Sequence, residues 1–66
     1  MRAILTVVRS DGELFYHIRG KLRLCRVNPN WREYATKFKT LKHAVRVARK
    51  KYKLGKEYRS WEAAVI

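Results

Sequence analysis

Acidic residues are scarce in this chain: five Asp and Glu stand against 17 Lys and Arg. Cysteine is scarcer still. With Cys25 alone no internal disulfide can form, and no Cys and His spacing of a usual zinc site is present. Long apolar runs are missing too. The six mainly apolar residues 3 to 8 before Arg9 are too few for a signal-peptide core or a membrane span, so an intracellular, cytoplasmic location is expected. With one Pro and three Gly there is no linker, low-complexity segment or repeat. A catalytic constellation is also lacking. His17 and His43 are far apart in the chain, Asp11, Glu33, Glu57 and Glu62 are scattered, and no nucleophile can be placed beside a base. A non-enzymatic protein without cofactor or metal is expected. Cys25 reads as a small buried or half-buried apolar residue rather than a reactive thiol.

What is present fits one small domain. Sixty-six residues lie near the lower limit for folding unaided. Nearly half of them (47%) are hydrophobic and spread through the chain, which favours a packed fold over disorder. Trp31 and Trp61 can anchor the edges of the core or present a partner surface, and the core is favoured because a core this small needs large rings. The formal net charge of +12 repels itself in so small a body, a balance usual where a polyanion supplies the missing negative charge.

Residues 2–9 are rich in β-branched side chains and break at Ser10-Asp11-Gly12, a turn signature. Residues 13–19 then predict the second strand of a hairpin, and Gly20 permits a second reversal into a strand over 21–27. There Arg26 falls in phase with Leu22 and Leu24, so the strand either leaves the core or bulges. Asn28-Pro29-Asn30 ends it. A fourth extended segment is expected over 31–38, and a helix over about 41–53 with Thr40 as N-cap and Gly55 as its left-handed stop. Residues 56–66 fit a strand, a short helix or a docked arm. Period-two alternation places Leu14, Tyr16, Ile18, Leu22 and Leu24 under the helix and Phe15, His17, Arg19, Lys21 and Arg23 on an open face. The fold class predicted is α+β: an antiparallel three- to four-stranded sheet with one amphipathic helix packed on one face.

The helix is the clearest element. At 100° per residue, with Leu41 as zero, Ala44, Val45, Ala48 and Tyr52 fall in an arc of about 100° that includes Leu41. Arg49, Lys42, Lys53, Arg46, Lys50 and His43 fill the arc from about 80° to 200°. From Tyr34 to Lys56 the sequence holds nine basic residues and no carboxylate. A helix that only needs solvation gains a few tenths of a kcal/mol from mixed-sign i, i+4 pairs, whereas Lys42/Arg46, Arg46/Lys50 and Arg49/Lys53 are all repulsive. The helix dipole favours Lys50, Lys51 and Lys53 in the last turn but does nothing for Lys42. An outside anion resolves the excess.

Nucleic acid is the favoured anion, DNA before RNA. A membrane is disfavoured, because the apolar side of the helix is modest and is needed by the sheet. Roughly six neutralised phosphates would give a salt slope near −5 on duplex DNA. Phosphate contacts are expected from Lys42, Arg46, Arg49, Lys50 and Lys53, with secondary contacts from Arg19, Lys21 and Arg23. Base reading would need the sheet, where Arg can bond guanine bidentately. Phe15 and His17 on an open face could instead stack on unpaired bases. The stretch TKFKTLKHAVRVARKKYKLG, with Phe38, Thr40 and Ala44 at a strand-to-helix junction, resembles the three-stranded sheet plus helix domains of ethylene-responsive plant transcription factors and of tyrosine-integrase arm-binding domains. That resemblance implies readers on the sheet, Arg19, Arg23 and Lys21, where the charge pattern points to the helix. A second class of function also fits: a small interaction protein, for example virus-encoded, that docks on an acidic protein surface. Whether the chain is a monomer or a dimer through a sheet edge is left open by the sequence.

Overall fold

The β-branched run at the start forms β1 (Ala3–Arg9), the tight turn at Asp11-Gly12 reverses the chain into β2 (Leu14–Ile18), and a second reversal gives β3 (Lys21–Leu24). This computed structural model describes every residue from Met1 to Ile66. At the second reversal Arg19 and Gly20 both have positive φ, 48° and 79°, as the mirror-image two-residue hairpin turn requires. After one 3₁₀ turn (Cys25–Val27) come a single helical turn, α1 (Trp31–Tyr34), the long helix α2 (Leu41–Lys51), and β4 (Tyr58–Val65). The strands make one antiparallel sheet in the order β3-β2-β1-β4, with α2 packed on β1 and β4. The expected α+β class and the single packed helix are present.

Several boundaries and one face differ from expectation. Residues 31–38 are not a strand: α1 occupies 31–34, and only Phe38 pairs, in a lone bridge with Ala3. The third strand stops at Leu24 rather than 27, because the 3₁₀ turn tucks Cys25 into the interior and lets Arg26 swing out to Glu13. The C-terminal segment is a full strand on β1, which makes β1 central. Helix α2 ends at Lys51, not 53. Tyr52 leaves the helical conformation and its ring is buried, so it stops the helix, and Gly55 has no positive φ.

The expected facing of β2 is inverted. Pairing sets Val7 opposite Phe15 and Thr6 opposite Tyr16, so Phe15 and His17 lie on the α2 side while Leu14, Tyr16 and Ile18 lie on the other. Leu22 and Leu24 do face α2, and Lys21 and Arg23 do not, as predicted. A simple alternation rule fails here because both faces of the sheet are partly covered. On the α2 side Ala3, Leu5, Val7, Phe38, Ala44, Ala48 and Tyr52 form the main core. On the other side Ile4, Tyr16, Cys25 and Ala35 form a second cluster, capped by Trp31 stacked on Tyr16 at 5.7 Å. Trp61 packs on the main core, so each tryptophan anchors one face.

Candidate nucleic-acid interface

Thr40 starts α2 as expected, its Oγ1 accepting a bond from the His43 amide at 3.1 Å. The helix turns Ala44, Val47 and Ala48 to the sheet. The two alanines are fully buried, which lets the helix backbone lie close to β1 and β4. The buried arc is thereby rotated by about one side chain from the predicted one: Val47 joins it, and Val45 moves to the outer side. Leu41 is 42% exposed and stands at the rim.

On the outer side Lys42, Arg46, Arg49 and Lys50 surround Val45 and line one open groove of about 360 Å³. Four of the five predicted helix cations therefore converge on a single concavity. Lys53 does not line it, since the helix has ended, but it is exposed just beyond. None of these five side chains forms an ion pair or an internal hydrogen bond. The chain's one salt bridge is Arg26 to Glu13, 2.7 Å, on another part of the surface.

Other cations are used by the fold itself. Lys37 Nζ donates to the carbonyl oxygens of Arg32, Glu33 and Ala35 at 2.7, 3.0 and 2.7 Å, closing the carboxyl end of α1. Lys51 Nζ donates to Gly20 O at 3.0 Å and so ties the end of α2 to the β2–β3 turn. Arg59 reaches Ser10 O, and Arg9 lies over the Phe15 ring. No carboxylate lines the α2 groove.

Arg19, Lys21 and Arg23 also come together, around a smaller hollow of about 220 Å³ beside Ile18 at the β2–β3 turn. They lie at the turn and on the helix-free side, apart from the α2 groove. Phe15 and His17 are not available for stacking on bases. His17 is 5% exposed on the α2 side, its Nδ1 2.6 Å from the Tyr52 hydroxyl and its ring 5.4 Å from Phe38. Burial, and then the charge of Lys51, lowers its pKa from the ordinary 6.5 and so disfavours its charged form. Burial also pushes the Tyr52 phenol up to about 12. His43 sits edge-on to Phe38 at 5.2 Å and covers the core there. The role of Lys51 had no sequence signal, because it depends on which turn the helix end meets.

Burial raises the Cys25 thiol pKa, with the Arg32 charge acting the other way. No three His, Cys, Asp or Glu side chains gather where they could hold a metal ion. No helix is long and apolar enough to cross a membrane. No protein-family model, curated protein or solved structure matches this chain.

Proposed function

We propose that this chain is a small nucleic-acid-binding protein that holds the phosphates of a duplex, DNA before RNA, in the groove on the outer side of α2. Lys42, Arg46, Arg49 and Lys50 make the primary contacts and Lys53 extends them. Arg19, Lys21 and Arg23 supply secondary contacts to a strand that wraps past the β2–β3 turn. The observation that carries the reading is the division of labour among the cations. Lys37, Lys51 and Arg26 each satisfy a partner within the fold, while the groove-lining four satisfy none. Holding four like charges around one groove costs stability in the free chain, and a row of phosphates reverses the sign of that term.

The groove offers point charges and guanidinium forks without a stacking ring, since the aromatic side chains of the main core point inward. Binding of this kind tracks backbone charge and carries little sequence information. Single strands, whose affinity draws on base stacking, gain less.

The test is direct binding to a random duplex. Arg46→Glu with Lys50→Glu abolishes retention while the circular dichroism spectrum is unchanged, and unpaired strands of the same length bind more weakly than the duplex. No retention of the wild-type chain at about 50 mM salt, where phosphate contacts are strong, would transfer support to the acidic-protein reading.

A further inference from the structure

The helix-free side of the sheet is only half covered. The segment from Cys25 to Thr36 lies over β2 and Ile4 of β1, where Trp31 stacks on Tyr16, and leaves the β4 edge around Glu62 uncovered. The result is a trough of about 270 Å³ whose walls include Thr6, Leu14, Trp31, Arg32, Glu62 and Ile66. Leu14 and Ile66 are 41% and 53% exposed. Arg32 stands on one wall, over the Trp31 ring at 4.5 Å, and Glu62 stands on the β4 wall. Neither forms an ion pair within the chain, whose one salt bridge is elsewhere. In a molecule of net charge +12 this is a patch with one cation, one anion and an apolar floor.

We propose that this trough is the contact between two copies of the chain, with Arg32 of each copy paired to Glu62 of the other. A two-fold contact uses the same patch twice and must be complementary to itself. Here α1 is a ridge beside a hollow, so the ridge of one copy fills the hollow of the other, and the two unpaired charges meet twice. A second copy is the occupant that the charges select. Most other surfaces of this chain repel their own image, and this one is balanced. A partner of strong single-sign charge would leave either Arg32 or Glu62 facing its like.

The arrangement has a functional consequence that rests on the phosphate reading of α2. The copies meet through their helix-free sides, so the two α2 grooves face outward in opposite directions. Two duplexes can then be held at once. The dimer would be a bridge between duplex segments rather than a clamp on one. A standard interface takes about 800 Å² from each partner, about a sixth of this chain's 4909 Å². The trough is smaller than that, so the association is of the weak, concentration-dependent kind.

Sedimentation equilibrium of the nucleic-acid-free chain, from about 10 to about 500 micromolar, covers the affinities of small interfaces. The mass rises from 7.9 kDa toward twice that value. Glu62→Arg weakens the association at least about tenfold, and combining it with Arg32→Glu restores it. A mass of one chain at every concentration overturns the proposal, as does dimerisation untouched by Glu62→Arg, or a swap that fails to rescue. Should one single variant fail to fold by circular dichroism, the wild type and the swap still decide. For bridging, an immobilised duplex is loaded with protein and then offered a labelled second duplex. The wild type captures the label, while Glu62→Arg binds the first duplex and captures none. A dimer that binds no duplex defeats the phosphate reading alone. A monomer that binds duplex defeats the dimer alone.

Discussion

Replacing Tyr52 by Phe removes one oxygen and keeps the ring, which makes it the cleanest probe of how α2 is held to the sheet. The lost hydroxyl lies 2.6 Å from His17 Nδ1, and both residues are about 95% buried. The vacated partner cannot turn to water, so the cost is that of an unsatisfied buried polar group, about 1 to 3 kcal/mol. A chain of this length has a total stability of roughly 3 to 10 kcal/mol at typical values per residue. Unfolding entropy of about 2.1 cal/mol/K per residue gives about 0.14 kcal/mol/K for 66 residues, so the melting temperature falls by about 7 to 20 °C. Thermal melts by circular dichroism at pH 7.5, where His17 is neutral, measure this. Exchanging both polar groups, as His17→Leu with Tyr52→Phe, removes the orphan, so the double variant loses less than the two single losses added. A Tyr52→Phe variant that melts with the wild type, or single losses that add within about 0.5 kcal/mol, would refute the reasoning.

The same pair sets the pH limits of stability. Folding lowers the His17 pKa below its ordinary 6.5, so the unfolded chain binds the proton more readily; stability is full above pH 6.5 and falls as the pH drops further, and denaturant midpoints from pH 8 to 4 follow it. The Tyr52 phenol moves the other way, from 10 to about 12, so up to about 3 kcal/mol is lost between those values on the alkaline side, read by phenolate absorbance with unfolding. Ala48→Leu forces three extra heavy atoms into the close helix–sheet contact and costs about 1 to 3 kcal/mol in a thermal melt. Thr40→Ala removes the cap on the His43 amide and costs about 1 kcal/mol by the same assay.

The elements that could be read from the sequence are those with local signals. The Asp11-Gly12 turn, the Gly20 reversal, the Thr40 cap and the cationic arc of α2 each depend on residues within a few positions of one another. The facing of β2 does not. Its alternation is Leu-Phe-Tyr-His-Ile, apolar on both sides, and only pairing with β1 together with the α1 segment over Tyr16 decides which set meets α2. His17 shows the same limit: a histidine on a strand reads as solvent-facing until the Tyr52 ring, 35 residues away, arrives to meet it. For 31–38, Trp31 and Tyr34 suit a strand by composition, but one helical turn lets Trp31 cover Tyr16 and lets Lys37 close the turn. The candidate site was legible as a set of cations. Which of them the fold consumes was not, because carbonyl partners such as Gly20 O leave no mark in the sequence.

The distinction between consumed and free cations is the basis of the account, and the dependence of duplex binding on salt tests it most directly. The five helix-side cations on phosphates contribute about −4.5 to the slope of log K against log salt, and Arg46→Gln with Lys50→Gln reduces the magnitude of the slope by about 1.8. Lys37→Gln and Lys51→Gln, which remove charges occupied by the fold, leave the slope of the wild type. A wild-type slope near zero, or equal losses of slope from Lys37→Gln and from the groove variants, would contradict the account.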